Sequence, residues 1–486
     1  MYFMGVDVGT QGARCVVADE DGTVAAAASC PIAAPPVRLP TGWAEQDPES
    51  WWEAACQSMR EAVARLSDRG VHPREIRAVA VDSTSGTVLP IDASGTPLRR
   101  AIMYNDGRAT LEADECNLAA PPGTPPFNAS YALAKILWVR RHEPDLYRRA
   151  ARFIHAADYL VGRLTGRWDV SDFSNALKTG CDPETCIWPA FITNKLGLPT
   201  EKLPTLVAPG EPIAAVGPEA AEATRIHRGT LVVAGMTDGT AGFVASGAAA
   251  PGEWNTTLGT TLVVRGVSPT PVRDPLGRIY NHRHPQGYWL PGGASNTGGE
   301  WMAVRFPSAD YAAMDLAAAS LMPTQLVVFP LARRGERLPF IHPNAQGFTL
   351  GEPTSDLELY AAALEGVALV EAWCYQLLES LGAPNPTAVF TTGGGARSAV
   401  WAQVRADVLQ VPVRTPSVPD AAMGAAILAA SRTRYSGLQE AMQRMVRTGR
   451  RTEPRRELAA EYQAKLALLR EECAARGYAP TQCNAR

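Results

Sequence analysis

Residues Phe3 to Val17 read Phe-Met-Gly-Val-Asp-Val-Gly-Thr-Gln-Gly-Ala-Arg-Cys-Val-Val. Two apolar runs flank a polar turn that contains Asp7, Gly9, Thr10 and Gly12, the pattern of a β-hairpin. The turn brings a carboxylate, a hydroxyl and several unencumbered backbone N–H groups to the end of a buried strand. Those groups suit a polyphosphate and its Mg2+. Glycines let the main chain approach the phosphate, N–H groups donate to its oxygens, and Asp7 holds the hard cation directly or through water. The same Asp-x-Gly-Thr pattern also closes ordinary hairpins, so the rest of the chain decides between the two readings.

Working outward, the chain has 486 residues, too many for one core and enough for two large domains. Apolar residues make up 46% and charged ones 20%, with a formal net charge of −3. That is ordinary globular composition, without the basic field that nucleic acid or an anionic membrane surface would require. The Met-Tyr-Phe-Met start lacks a charged n-region and reads as a strand, not as a leader. No apolar run approaches the roughly 20 residues that span a bilayer. The nine cysteines are scattered with no Cys-x-x-Cys pair, which points to reduced thiols. The expectation is a soluble, cytoplasmic protein, monomeric or homodimeric, with small-molecule partners.

Gly22–Cys30 follows the first hairpin as a third strand, then a Pro-rich loop runs through Pro40. Asp47 is a natural N-cap, Pro48 suits the first helical position and Glu49 the positive helix end. Trp52, Cys56, Met59, Val63 and Leu66 recur at helical spacing and are core positions. Ile76–Val81 is a buried strand that emits Asp82-Ser83-Thr84-Ser85-Gly86-Thr87. These hydroxyls either satisfy turn N–H groups or form a polyol-binding edge. A similar polar cluster is Tyr104-Asn105-Asp106-Gly107-Arg108, and Ser171–Lys178 is a third. Leu231–Gly235 is a strand that delivers Thr237-Asp238-Gly239-Thr240 at its end, where Asp238 either caps the next helix or does chemistry.

The composition breaks at Pro251-Gly252, the expected boundary between a domain 1–250 and a domain 251–435. The second half opens as the first did: strands at Trp254–Leu258 and Thr261–Val264 flank Gly259-Thr260, a second phosphate-gripping turn. Pro291–Gly299 is Gly-rich and reads as a flexible loop. Ser355-Asp356 begins a helix that runs through Leu378. Strand Ala388–Thr392 is followed by Gly393-Gly394-Gly395-Ala396-Arg397-Ser398 and a helix carrying Trp401. Three glycines there permit a flat ligand to lie against bare backbone. The stretch 436–486 reads as a tail of two charged amphipathic helices with many arginines, a solvated packing element.

Taken in order, these motifs resemble the carbohydrate kinases of the FGGY family. The resemblance rests on Asp-x-Gly-Thr at the start, Thr-Asp-Gly-Thr mid-chain, Leu-Gly-Thr-Thr soon after, and Gly-Gly-Gly-Ala-Arg-Ser-x-x-Trp late. It also includes Gly42-Trp43-Ala44-Glu45-Gln46-Asp47-Pro48, Asn105-Asp106-Gly107-Arg108 and Gly335-Glu336-Arg337-x-Pro339. It implies an α/β protein of two RNase H-like domains of the actin–hexokinase type around a central cleft, binding ATP, Mg2+ and a sugar. By analogy Asp7, Thr10 and Gln11 handle phosphates and metal, and Gly259, Thr260 and Thr261 form the second phosphate turn. Gly394, Gly395 and Ser398 lie where the family holds adenosine, with Trp401 nearby. Asp238 matches the family's catalytic base and a further metal contact, while Ser85, Asn105 and Asp106 fall in the sugar-facing stretches.

The acceptor is read from departures. Glycerol kinases of the family carry an Arg-Glu pair where this chain has Ser83-Thr84-Ser85, and a Gln after the base. Xylulokinases carry Met-His and an Asn. Here Ser85 and Gly239 stand at those places. Asp82-Ser-Thr-Ser-Gly-Thr, Ser174-Asn-Ala-Leu-Lys-x-Gly and Gly293-Ala-Ser-Asn resemble the cyanobacterial and plant members that phosphorylate D-ribulose, although Gly239 departs from their usual Ser. The expectation is a ketopentose kinase acting on D-ribulose. Xylulokinase or another polyol kinase is the alternative, and a non-catalytic actin-fold sensor the remote one.

Overall fold

β1 (Tyr2–Val8) is buried on both faces, as a strand does when it runs through the middle of a sheet with helices on either side. The computed structural model describes residues 1–33 and 38–479, so part of the Pro-rich loop lies outside the described residues. β2 (Gly12–Asp19) returns antiparallel to β1, and β3 (Val24–Pro31) pairs with β2. Helix α1 (Pro48–Asp68) starts as its sequence dictates, with the Asp47 carboxylate accepting from Glu49 N. On the other side of β1 lies β4 (Ile76–Ser83), parallel to it. Beyond β4 come β5 (Pro212–Ala215), β6 (Leu231–Val233) and β7 (Met236–Thr237), giving the order β5-β6-β4-β1-β2-β3, with β7 also pairing β4. Helix α2 (Asp238–Ser246) leaves the end of β7.

The chain forms two compact units, and the first contains residues 1–245 together with 420–446. Helix Ala421–Ser431, capped by the Asp420 carboxylate, therefore returns to the first unit after the second has been traversed. It packs so closely on β1 that a Cβ at Gly5 would lie 1.8 Å from the Ala422 carbonyl oxygen. The same helix lies against α2, where a Cβ at Gly424 would meet the Ala241 carbonyl at 1.9 Å.

The second unit contains residues 246–419 and 447–486. Its sheet runs β10 (Tyr280–Arg283), β11 (Trp289–Ser295), β9 (Leu262–Gly266), β8 (Glu253–Leu258), β12 (Ala388–Thr392), β13 (Val413–Pro416), β14 (Thr448–Thr452). The β8–β9 hairpin is antiparallel and β8–β12 parallel, which repeats the topology of β1, β2 and β4. Its core is built on α3 (Asp356–Ser380), started by a Ser355 cap, and on α4 (Ala399–Leu409).

The division at 251–435 with a separate tail 436–486 does not follow the compact units, because residues 420–446 belong to the first and 447–486 to the second. The end of the chain packs into both units: helix Leu438–Met445 belongs to the first, while β14 extends the second sheet and α5 (Ala459–Ala475) buries Tyr462, Leu466, Leu469 and Cys473 in its core. Among the described residues no helix is long and apolar enough to cross a membrane.

Candidate active site

The hairpin turn after β1 is tied down by its main chain. Gly9 N donates to the Gly12 carbonyl at 3.0 Å, and Ile32 N to the Gln11 carbonyl at 2.9 Å. Gln46 Nε2 reaches the Thr10 carbonyl at 2.8 Å, while its Oε1 accepts from the Trp51 indole at 2.9 Å. The Gly-Trp-Ala-Glu-Gln-Asp-Pro stretch thus acts as a clamp on the turn.

Asp7 stands at the end of β1, 7% exposed, and burial raises its carboxyl above the usual range while the exposed Arg14 guanidinium at 3.6 Å opposes that rise. Directly opposite on β4 is Asp82, fully buried, its carboxyl sharing a hydrogen bond with that of Asp7 and neither oxygen meeting an N–H or hydroxyl donor among the described residues. Burial lifts Asp82 well above the carboxylate range, and the charges of Asp7, Asp238 and Asp420 add to the rise. Asp82 also pairs in register with Met236 on β7, two residues before Asp238. Asp238 opens α2, half-exposed, with Oδ1 accepting from Gly239 N at 2.6 Å. The preceding strand end is fixed by hydroxyls: Ser174 Oγ accepts from Thr237 N at 3.1 Å and Thr237 bonds Thr240 at 2.9 Å.

Ser83 to Thr87 forms the next wall. Ser83 Oγ accepts from Ala157 N at 3.0 Å, and Thr87 Oγ1 from Tyr104 N at 3.2 Å. These two hydroxyls serve turns, as the plain reading of the stretch expects. Ser85 sits half-exposed, its carbonyl held by Lys178 Nζ at 3.3 Å, a bond that leaves the hydroxyl its own capacity for a ligand. Burial lowers the Lys178 ammonium and the nearby Asp238 carboxylate opposes that shift. Lys135, fully buried, donates to the carbonyls of Gly86, Met103 and Ser130 at 2.7–2.9 Å. It holds the loop from behind.

Two assigned contacts prove to be internal. Asp106 is fully buried, one oxygen accepting from Arg108 N and Nε and the other from Ala44 N and Arg108 Nη2. With both oxygens saturated it has nothing to offer a sugar, whereas neighbouring Asn105 is exposed. Trp401 is 6% exposed with its indole N–H on the Leu364 carbonyl at 3.1 Å, so it is a core residue and not a face for adenine.

In the second unit the 259–261 turn repeats the clamp, with Gly259 N donating to the Thr261 carbonyl at 3.0 Å. Gly299 N and Glu300 N donate to the carbonyls of Gly259 and Thr260, and a Cβ at Gly298 would lie 2.5 Å from the Thr260 carbonyl. The Gly-rich run 291–299 is therefore a buried strand and a close-packed support, not the flexible loop its composition suggests. Of the three late glycines, Gly393 and Gly395 are demanded by packing, since a Cβ on either would lie 2.6–2.7 Å from Leu258 atoms. Gly394 alone opens outward, its Cβ position meeting only Arg397 Nη2 at 3.8 Å. Ser398 Oγ caps α4 by accepting from Trp401 N at 2.9 Å.

Sequence reasoning passed over Gln46, Lys135, Lys178 and Asp420. Gln46 and Lys178 lie in stretches whose polarity marked them. Lys135 sits in an apolar helical run and carried no signal.

Comparison with known proteins identifies the family. Residues 2–245 match the N-terminal domain of the FGGY family of carbohydrate kinases and residues 254–432 its C-terminal domain. The chain is 31% identical over 445 residues to the xylulose kinase of Escherichia coli strain K12, covering 88% of this chain and 89% of that one. It is 26% identical over 495 residues to a gluconokinase of Bacillus licheniformis, covering 96% and 94%. The solved xylulose kinase of Rhodospirillum rubrum superposes with a TM-score of 0.84 at 28% identity, covering 98% of this chain and 99% of that one. The chain thus belongs to the FGGY family of carbohydrate kinases and is an ATP-dependent sugar kinase.

Proposed function

We propose that this kinase phosphorylates the terminal 5-hydroxyl of a ketopentose, with D-ribulose preferred over D-xylulose. The observation that carries the proposal is the grouping of Asp238, Lys178 and Ser85 at one end of the first sheet. Asp238 takes the proton of the attacking hydroxyl as the bond to phosphorus forms. Lys178 sets the main chain at Ser85, whose short hydroxyl leaves room for a sugar hydroxyl that a buried imidazole would displace. Epimers are then separated by one or two buried polar contacts, each about 1–3 kcal/mol, so the preference is roughly ten- to a hundredfold. D-xylulose is the second reading, favoured by the relatives named xylulose kinases.

Asp7 and Asp238 are the carboxylates suited to Mg2+, a hard cation that takes oxygen ligands. The buried Asp7 and the oxygens of Asp82 beside it fit such an ion. When bound, Mg2+ supplies charge neutralisation at the transferring phosphoryl group. Thr10 and Gln11 serve the phosphates from the first unit. In the second unit, the 259–261 turn serves the phosphates and Gly394, Gly395 and Ser398 the adenosine. Gly394 offers bare backbone, while Gly395 and Ser398 shape the support.

ADP release measured over D-ribulose, D-xylulose, pentitols, glycerol and gluconate tests the reading. The expected result is the highest kcat/KM for D-ribulose, narrowed by Ser85→His. A tenfold preference for D-xylulose in the unaltered protein overturns the D-ribulose assignment and leaves the sugar kinase.

A further inference from the structure

Asp82 has no ordinary reason to be a carboxylate. The other buried aspartates around it are satisfied. Asp172 Oδ1 accepts from Ser174 N and Asn175 N, Asp158 Oδ2 from His155 N, and Asp106 from four donors. Asp420 caps the returning helix by accepting from Ala422 N. Asp82 caps nothing, closes no turn and pairs with no cation among the described residues, and its one hydrogen-bond neighbour is another acid, Asp7. It is fully buried on a central strand, flanked by Asp7 in register on β1 and Met236 on β7, and the other charges that act on it are the carboxylates of Asp238 and Asp420. An apolar or amide side chain would fit that strand at far lower cost, because an isolated buried carboxylate is strongly unfavourable.

Resting on the assignment of Mg2+ to Asp7 and Asp238, we propose that Asp82 is a further cation-holding carboxylate, which beside Asp7 binds the divalent metal of the nucleotide, directly or through its water. Mg2+ is held by one or two carboxylates plus substrate phosphates and keeps several waters. That habit matches a place where two carboxylates converge. The oxygens of Asp82 are the acceptors that metal-bound water or the metal itself would fill.

The test is Mn2+ binding followed by electron paramagnetic resonance, with and without ADP, on the full chain and on Asp82→Asn. Thermal unfolding with and without Mg2+ and ADP accompanies it. Asp82→Asn is expected to weaken Mn2+ binding in the presence of ADP at least tenfold and to shrink the Mg2+-induced rise in Tm. The metal-free variant is expected to be at least as stable as the parent, since the unpaired carboxylate is gone. Asp82→Ser repeats the experiment with a smaller side chain. Asp420→Asn, which removes a nearby charge but keeps a helix cap, is expected to leave Mn2+ affinity within about twofold. Unchanged Mn2+ affinity in folded Asp82→Asn overturns the proposal, as does an equal loss in Asp420→Asn, which would make the effect one of general field. If the unaltered protein takes up no Mn2+ with ADP, the assignment of the metal to Asp7 and Asp238 fails together with this one.

Discussion

Lys135 shows how much of a site can hang on a residue that never meets the ligand. Its ammonium satisfies three carbonyls, those of Gly86, Met103 and Ser130, and so fixes the Ser83–Thr87 wall. Lys135→Met keeps the bulk and strands those acceptors at about 1–3 kcal/mol each. The expected outcome is a lower Tm and a raised KM for the sugar with KM for ATP nearly unchanged, measured by calorimetry and steady-state kinetics. Asp238 is the opposite case, a residue defined by its chemistry. Asp238→Asn preserves shape and removes the proton acceptor, so kcat is expected to fall roughly a hundredfold or more, while ADP binding by calorimetry without metal stays similar. His284 supplies a pH dependence. Fully buried, with Nδ1 accepting from Gln286 N at 3.1 Å, its imidazole is pushed by burial from 6.5 down to about 4. The unfolded chain binds a proton below pH 6.5 that the folded imidazole refuses until near 4, so stability falls as pH drops through that window. The loss near pH 5 is about 2 kcal/mol. His284→Asn keeps an acceptor without titrating, and its denaturant midpoint is expected to fall less than the parent's between pH 7 and pH 5.

At the scale of elements, the patterns written in local chemistry were readable. The Asp47 cap, Pro48 at the helix start, the Ser355 cap and the β8–β9 echo of the first hairpin all stand where their residues place them. What local chemistry cannot show is who else uses a polar group. Asp106 and Trp401 have the residue types of a site, and their bonding capacity is spent on Arg108, Ala44 and Leu364, partners set by tertiary packing. Glycine misleads in the same way. At 298, 393 and 395 it marks close approach of backbone to neighbouring residues and not freedom of motion. Gly5 is the severest case. A methyl group there would sit 1.8 Å from the Ala422 carbonyl, so β1 or the returning helix must move. Gly5→Ala is expected to cost at least the 3 kcal/mol or so at the upper end of overpacking penalties, read as a lowered Tm or loss of soluble protein.

For the whole molecule, the division of the chain was half legible. The composition break at Pro251-Gly252 lies near the first crossing between units, after Ala245. The later crossings, at 419–420 and 446–447, leave no mark, because helix Ala421–Ser431 is uniformly small and apolar, as a helix buried in either unit would be. Residues 1–245 expressed alone are expected to aggregate or to bind a hydrophobic dye, since the face of β1 and β4 under that helix is laid bare. Joining 420–446 through a flexible linker is expected to restore a cooperative thermal transition. A stable, monomeric 1–245 fragment would contradict the assignment of that helix to the first unit.

The return of helix Ala421–Ser431 to the first sheet also has a consequence in time. The first unit cannot be completed when its own 245 residues have been made, because its last piece ends at Val446, 201 residues later. At ribosomal speeds of about 5–20 residues per second that is a wait of roughly 10–40 s. Throughout it, the nascent first unit exposes the strip of sheet around Gly5, while residues 246–419 of the second unit emerge without β14 and α5. Assembly is therefore interleaved: the first unit waits for residues 420–446, the second is completed only by 447–486, and the long-exposed first half is the one a chaperone would have to shield.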